Sequence, residues 1–277
     1  MKQILKYPGS KYKSADWIIR QFPEHHSYLE PFFGSGAILF NKERSDIETI
    51  NDLDGEVINL FRQIKEAPQA IAEEIYFRPY SREIYNKAFE KEPENDFERA
   101  INFIIRSNMG HGYRTNGKKV GWKCDVQGRE RAYAARDWAE LPGIIREAAE
   151  RLKGVQIENR PAVELIQKYN FEDVLIYADP PYLLSTRAGK QYRHEMTEPE
   201  ETLIATTAHG FMYYIQKIKG KPYSEEEAEH FAEAVRYQVK RRITDTRAQT
   251  QPKKRHFKNP AQYIGSRKKR KKIVRGK

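Results

Sequence analysis

The chain has 277 residues, 39% of them hydrophobic, which suffices for one large α/β domain or for one such domain with a smaller companion. It has no apolar run long enough to span a membrane and no secretion-signal pattern, and its only cysteine, Cys124, excludes an internal disulfide and a cysteine-clustered zinc site. We therefore expect a cytoplasmic protein without a membrane partner. The formal net charge of +11 is concentrated in 253–277, which can bind phosphate or extend as a solvated tail.

The first sixty residues alternate between helical and strand-like patterns. In chain order, they predict a helix over 14–22, a strand ending at Leu29, a glycine turn at 34–36, a helix from Ala37, a strand ending at Asn51 and a helix over 55–64. The order strand, glycine loop, helix, strand, acid is typical of the start of a doubly wound, Rossmann-like α/β sheet.

The middle of the chain is mostly helical, and we interpret 62–150 as an insertion into the sheet domain. A polar stretch interrupts it, and Asn116–Gly117 predicts a hairpin turn there. The α/β pattern then returns with a strand over 155–159, a helix over 162–169 and an apolar strand over 174–178. Beyond residue 200 the pattern weakens to a strand or buried helix at 211–218 and a capping box at 224–227 that predicts an amphipathic helix.

The most informative motif is Asp179-Pro180-Pro181-Tyr182, at the carboxyl end of the apolar strand, where ligand sites of open α/β sheets lie. The two prolines fix φ and remove two backbone donors, which makes a stiff corner rich in acceptors. A carboxylate and a carbonyl that accept both N–H groups of an exocyclic amine free its lone pair for attack. The aromatic ring can stack on an extruded base. The simpler alternative is a proline-rich strand exit with a buried tyrosine.

A second motif, Glu30–Gly36, follows the first predicted strand directly. Its glycines let backbone amides approach a ligand closely, and a helix N-terminus is electropositive. Phe33 precedes the first glycine and can face a sulfonium cation in a cation–π contact worth about 0.5–2 kcal/mol. The dinucleotide fingerprint GxGxxG is absent, and an ordinary tight turn is the alternative.

Two shorter segments complete the pattern. Asp52 follows the second predicted strand and suits a bidentate bond to ribose hydroxyls, with Asp54 as the competing candidate or as a helix cap. Near the N-terminus, Lys11 lies in a Gly/Ser turn where it can pair with a carboxylate, and Tyr7 beside it can pack on an adenosyl ring. In isolation, that turn also fits an ordinary surface loop.

In this order, KYPGSK, EPFFGSG, ND and DPPY resemble the Dam-like family of N6-adenine DNA methyltransferases, over about residues 1–200 including GHGYRTNG and KQYRHEM. The resemblance implies a site-specific enzyme that moves a methyl group from S-adenosyl-L-methionine to N6 of adenine in double-stranded DNA, without a metal. It implies catalytic roles for Asp179, Pro180 and Tyr182. It implies donor contacts from Tyr7, Lys11, Glu30, Phe33, Asp52 and Asp179.

The family's inserted region reads DNA, which implies that residues 62–150 recognise the target here. The candidates for phosphate or base-edge contacts are Arg114, Asn116, Lys118 and Lys119, which equally fit a polar hairpin tip. The implied organisation is a donor-binding catalytic domain over 1–61 and 151–200, the inserted recognition region, a divergent segment over 201–252 and a basic tail over 253–277.

Two departures from the family pattern stand out. Pro161 occupies about the place where many relatives carry an acid near the donor's adenine. The expected Ser-Gly-Tyr-like turn and apolar final strand are missing from 201–277, so we expect an incomplete sheet with the DPPY strand near an exposed edge. A frameshift, a recombination joint and a divergent C-terminal domain would each produce this pattern.

Two other functions stay open at this point. An N4-cytosine methyltransferase would use the same amine chemistry, although the leading Asp of the tetrapeptide favours adenine. A catalytically impaired homologue that binds DNA through its basic tail would explain the missing strands, whereas Asp52 and Asp179 favour activity. A restriction endonuclease in the same system is an expected partner of a site-specific enzyme of this kind.

Overall fold

A parallel β-sheet with the strand order β3-β2-β1-β4-β5 forms the centre of the molecule. Its strands are β1 (Ser27–Glu30), β2 (Ile47–Asn51), β3 (Gln156–Glu158), β4 (Val174–Ala178) and β5 (Phe211–Tyr214). Every neighbouring pair runs parallel. This order, which places the first strand centrally and winds outward in both directions, confirms the predicted doubly wound fold.

The structure is a computed structural model that describes part of the chain. The described residues are 1–90, 92–112, 115, 117–124, 126, 133–171, 173–181 and 191–195, with the backbone alone of 211–214. They belong to one compact unit, Met1–Ala232. The helix predicted after 224 and the basic tail lie outside the described residues.

Helices cover both faces of the sheet. They are α1 (Ala15–Ile19), α2 (Gly55–Glu66), α3 (Pro68–Phe77), α4 (Arg82–Glu90), α5 (Asp96–Met109), α6 (Ala134–Leu152) and α7 (Ala162–Lys168), with a 3₁₀ turn at Tyr12–Ser14. Side chains alternate along β4: Leu175 and Tyr177 join the core shared with α2, α5 and α6, whereas Val174 and Ile176 pack with α7. All five residues of β4 are buried, as the continuous apolar run predicts.

The inserted helical region packs into the same core as the sheet. Ile71 of α3, Ile104 of α5 and Ile145 of α6 are fully buried within one cluster that also contains residues of β1 and β4. The N-cap of α5 is Asn95, whose side chain accepts a hydrogen bond from the Glu98 amide. The limit predicted at residue 61 falls inside α2, and the division into domains stays a prediction.

The helix predicted from Ala37 is wrong. Residues 37–41 form consecutive turns, and the hydrogen bonds from Phe40 to Gly36 and from Lys42 to Ile38 each close one turn without forming a continuous helix. The buried ammonium of Lys42 donates to the Glu43 carbonyl, the Ser45 hydroxyl and the Glu48 carboxylate. These bonds direct the chain into β2, so the helix cannot continue.

The DPPY strand does not lie at an edge of the sheet. β5 pairs with β4 from Leu175 to Ala178, which confirms the strand alternative for 211–214 and corrects the expected exposed edge. Within the described residues the sheet ends at β5. In the described part of the chain, no helix combines the length and apolar character needed to cross a membrane.

The predicted hairpin brings two arms of the polar stretch together. Gly110 and Trp122 form an antiparallel bridge, and the His111 amide donates to the Gly121 carbonyl at 2.8 Å. Gly117, near the tip, has φ of +79°, a conformation that L side chains rarely adopt. The neighbouring Asn116 lies outside the described residues.

Candidate active site

A cleft of about 900 Å³, counted out to its open mouth, lies at the carboxyl ends of β1, β2 and β4. All four motif segments contribute to it, although Lys11 and Asp179 are 168 positions apart in the chain. The residues predicted from sequence that line it are Tyr7, Lys11, Glu30, Phe33, Asp52, Asp179 and Pro180.

Asp179 is held at the cleft by Lys11. The ammonium lies 2.5 Å from Asp179 Oδ2 and also donates to the Gly9 carbonyl at 3.0 Å. Both side chains are about seven-eighths buried, with exposed fractions of 13% and 14%. Burial raises the pKa of the Asp179 carboxyl, and the ammonium opposes that rise. The other oxygen, Oδ1, is buried and accepts no hydrogen bond from the described residues, so a ligand amine can take it.

The glycine turn depends on the absence of side chains. Gly34 has φ of +50°, and a Cβ there would lie 3.2 Å from the Tyr7 ring. Gly36 has φ of +67°, and its Cβ would lie 2.6 Å from the Phe40 ring. The Gly34 amide donates to Asp52 Oδ2 at 2.8 Å, which ties the turn to the end of β2. The two glycines therefore let the chain pass between aromatic rings and reach the acid.

Asp52 and Asp54 both line the cleft but are held by different hydrogen bonds, and the ribose contact of Asp52 stays a prediction. Asp54 is the N-cap of α2, and its Oδ1 accepts from the Glu56 amide at 3.0 Å. Asp52 accepts from the Gly34 and Asp54 amides, one on each oxygen. Burial raises the pKa of Asp52 to about 7, against the lowering effect of these amides. The helix-cap interpretation of Asp54 is confirmed.

Glu30 forms the buried floor of the cleft, with 2% of its surface exposed. Its Oε2 accepts from the Tyr28 hydroxyl at 2.8 Å and from the Leu39 amide at 3.2 Å. Burial raises the pKa of Glu30 to about 8, so the carboxyl is mostly protonated at neutral pH. A neutral carboxyl can both donate and accept a hydrogen bond.

Phe33 and Tyr7 are the aromatic walls. Phe33 is 2% exposed, and its ring centroid lies 4.8 Å from that of Phe61 and 5.8 Å from that of Phe40, so most of the ring belongs to the core. Tyr7 packs over Gly34, and its ring centroid lies 6.2 Å from that of Tyr192. The apolar walls therefore also hold the glycine turn in place.

Sequence reasoning assigned no role to residues 191–195, which form one wall of the cleft. Tyr192, Arg193, His194 and Glu195 all line it. The Tyr192 hydroxyl donates to the Pro8 carbonyl at 3.2 Å, and the Arg193 guanidinium lies 3.3 Å from Asp54 Oδ1. The only hint in the sequence was the KQYRHEM string in the family resemblance. Local patterns could not predict the role of this segment, because its partners Pro8 and Asp54 lie more than a hundred residues away in the chain.

Of the predicted DNA-contacting residues, Lys118 and Lys119 are described, and neither is among the residues that line the cleft. Lys118 and Lys119 are exposed, and the Lys119 ammonium lies over the rings of Tyr85 and Phe89 at 6.0 and 5.5 Å. Arg114, Asn116 and the stacking candidate Tyr182 lie outside the described residues. Within the described ranges, no group of three or more His, Cys, Asp or Glu side chains could hold a metal ion.

A doubly wound parallel sheet carries the cleft, and the cleft joins a glycine turn and a strand-end acid to an acidic Pro-Pro corner. These features together place the protein in the class of α/β methyltransferases. In such enzymes a nucleoside-bearing methyl donor and the acceptor meet at the carboxyl edge of the sheet, which is the edge where Gly34 and Asp179 line one cavity here.

The family follows from comparison with known sequences. The model of the D12 class N6 adenine-specific DNA methyltransferases matches residues 7–244, and the chain belongs to this family. The chain is 28% identical over 199 residues to a DNA adenine methylase of Vibrio cholerae, covering 68% of each chain. It is 28% identical over 211 residues to the type II methyltransferase M1.LlaDCHI of Lactococcus lactis, covering 70% of this chain and 71% of that one.

A third relative, the DNA adenine methylase of Escherichia coli K12, is 26% identical over 123 residues, covering 40% of this chain and 41% of that one. These findings confirm the predicted family and its reaction, methyl transfer to N6 of adenine in DNA. Dependence on S-adenosyl-L-methionine as the methyl donor is general to this family.

Proposed function

We propose that this chain is a catalytically competent, site-specific enzyme in which Asp179 and the Pro180 carbonyl hold N6 of an adenine flipped out of double-stranded DNA. The observation that carries the proposal is the buried Asp179 Oδ1, which accepts no hydrogen bond from the described residues and lies in the same cleft as the glycine turn. A buried acceptor without a donor is costly unless a ligand supplies one.

The residues of the cleft fit the methyl donor. S-adenosylmethionine, when bound, supplies an electrophilic methyl group on a positively charged sulfur. Asp52 suits the ribose hydroxyls, because each of its oxygens keeps a further acceptor position beside its amide bond. Lys11 attracts the carboxylate of the methionine end, and Glu30, being mostly protonated, does not repel it. Tyr7 and Phe33 supply apolar walls.

The target amine is handled by the Asp179 corner. Lys11 balances the charge on Oδ2 while Oδ1 accepts one N6–H, and the Pro180 carbonyl accepts the other. With both N–H groups engaged, the N6 lone pair is free to point at the methyl group. Tyr182 stacks on the flipped ring, and flipping costs a few kcal/mol of unstacking. Catalysis is then mainly positioning and electrostatics.

DNA recognition is assigned to the hairpin, with Arg114, Asn116, Lys118 and Lys119 as contacts. The exposure of both lysines supports phosphate binding. Because a Lactococcus lactis relative is named a type II methyltransferase, we also propose a restriction endonuclease partner in the same system. The exposed free thiol of Cys124 suits a reducing cytoplasm, where we place the enzyme.

The test is transfer of a tritiated methyl group to DNA by the Asp179→Asn and Asp179→Ala variants. We expect transfer to fall by at least about a hundredfold, the scale of losing one preorganised electrostatic contact, with non-specific DNA binding largely unchanged. Asp173→Asn is the matched control, because Asp173 is an exposed carboxylate at the opposite end of β4. Its activity should equal that of the wild type.

Two outcomes would contradict the proposal. Asp179→Ala with wild-type activity would remove Asp179 from the mechanism. A wild-type protein that binds the donor in calorimetry and transfers nothing in a single turnover would be the impaired homologue instead. Nucleoside analysis of the product DNA identifies the base, and we expect N6-methyladenine.

A further inference from the structure

The 191–195 segment is a wall of the cleft that other parts of the chain hold in place. Its own turn is closed by Glu195 Oε1, which accepts from the Gln191 and Tyr192 amides. The Tyr192 hydroxyl reaches the N-terminal loop at Pro8. The Arg193 guanidinium reaches the cap of α2. The shape of the donor cleft therefore depends on where this segment lies.

The third attachment of the segment is to the hairpin, through Thr115. The Thr115 hydroxyl accepts from the Arg193 amide at 2.9 Å and donates to the Gln191 carbonyl at 3.4 Å. The Thr115 amide donates to the same carbonyl at 3.0 Å. Thr115 is 1% exposed, whereas the described residues Gly117, Lys118 and Lys119 of the same loop are exposed. Thr115 is therefore a buried polar residue close to described residues of the loop that are exposed.

Thr115 thus connects the loop assigned to DNA binding with the cleft assigned to the methyl donor. The residues that flank it, 114 and 116–119, belong to the loop assigned to DNA, while its hydrogen bonds fix a wall of the donor cleft. The base of the hairpin is anchored independently, since the Tyr85 hydroxyl donates to the Val120 carbonyl at 2.7 Å. Thr115 is therefore the described residue through which the hairpin is hydrogen-bonded to residues 191 and 193.

We propose that Thr115 is a positioning residue that couples DNA binding at the hairpin to donor binding in the cleft. DNA bound at the hairpin favours one position of Thr115, and the Thr115 hydroxyl passes that preference to the 191–195 wall, so DNA and donor favour the same arrangement. Coupling of this kind is reciprocal: the donor tightens DNA binding by the same factor. The inference rests on the proposed function, in which the hairpin contacts DNA and the cleft binds the donor.

The experiment measures binding of S-adenosylhomocysteine, which cannot react, with and without sheared bacterial DNA that lacks N6-methyladenine. In the wild type we expect DNA to tighten this binding, roughly three- to tenfold, the scale of one hydrogen-bonded contact. Thr115→Val keeps the side-chain shape and the amide bond to Gln191 but removes the hydroxyl, and it should lower the ratio well below that of the wild type. Thr115→Ser keeps the hydroxyl and should retain the wild-type ratio.

A ratio in Thr115→Val equal to that of the wild type would overturn the inference. It would also be overturned if DNA did not change the affinity of the wild type for S-adenosylhomocysteine. Failure of the wild type to bind S-adenosylhomocysteine at all would instead contradict the proposed function. Should Thr115→Val not fold, amide hydrogen exchange in the wild type decides. Added DNA should slow exchange of the amides of Tyr192 and Arg193, and unchanged exchange would overturn the coupling.

Discussion

Two buried ion pairs lie at opposite ends of the parallel sheet and are built differently. At the amino end, Glu48 of β2 accepts from Lys42 at 2.7 Å, from Arg151 at 2.6 and 2.8 Å and from the Ser45 amide at 3.1 Å. At the carboxyl end, Asp179 accepts from Lys11 on one oxygen, while the other has no partner among the described residues.

The contrast shows how an ion pair completed within the protein differs from one that leaves an acceptor open for a ligand. Glu48 is 3% exposed with both oxygens bound, so its charge is compensated within the protein and stabilises the turn that leads into β2. Asp179 is buried with half of its acceptors unused, an arrangement that lowers stability unless a ligand completes it. Burial alone does not separate the two; the count of hydrogen-bond donors does.

Glu48→Gln tests the structural side of the comparison and should have the largest effect. Removing the charge leaves Lys42 and Arg151 buried without their counter-ion, and we expect a loss of about 3–5 kcal/mol in the free energy of unfolding. Urea denaturation measures it, with the exposed Glu43→Gln as control. The activity per folded molecule should stay at the wild-type level. A loss below that of the control would mean that the cluster is not structural.

Lys11→Met tests the functional side, with a smaller effect of another kind. Without the ammonium the pKa of Asp179 rises further, so the carboxylate that accepts the amine forms only at higher pH. We expect transfer to fall by about tenfold to a hundredfold at neutral pH and the acid limb of the pH–rate profile to move upward. The exposed Lys13→Met should leave the profile unchanged. An unshifted acid limb in Lys11→Met would separate Lys11 from the protonation state of Asp179.

Glu30→Gln tests a buried carboxyl of the cleft through the pH dependence of the free energy of unfolding. The pKa of Glu30 is about 8 in the folded protein and lies near 4.5 when unfolded, so the folded state binds the proton more tightly. Its contribution to stability is therefore complete at low pH and is lost as the pH rises from about 5 to 8, with a slope of at most about 1.4 kcal/mol per pH unit. Thermal unfolding of the ligand-free variant should show a flatter pH dependence, whereas the exposed Glu24→Gln should match the wild type. If the pH dependence of unfolding were the same in Glu30→Gln and in the wild type, a group other than Glu30 would be responsible for it.

Local patterns predicted much of the fold. The strand ending at Leu29, the strand ending at Asn51 and the apolar strand at 174–178 occur as β1, β2 and β4, because hydrophobic periodicity and strand-end chemistry are encoded within a few residues. The prediction of a helix from Ala37 is wrong because a contact outside the local pattern determines the structure there. The buried contact between Lys42 and Glu48, which bends the chain into β2, is not visible in the periodicity of 37–42.

The amino-acid sequence alone was enough to predict which segments line the cleft, because a Pro-Pro corner after an apolar strand and glycines after another constrain the backbone locally. The tertiary structure alone shows how Asp52 and Asp54 are held, since the hydrogen bond that places Asp52 comes from Gly34 on a neighbouring strand connection, whereas Asp54 caps α2. It likewise decided the part played by the 191–195 segment, whose partners Pro8, Asp54 and Thr115 come from three distant places in the chain. Contacts between distant segments depend on how the strands are ordered in the sheet, and that order is a property of the whole fold.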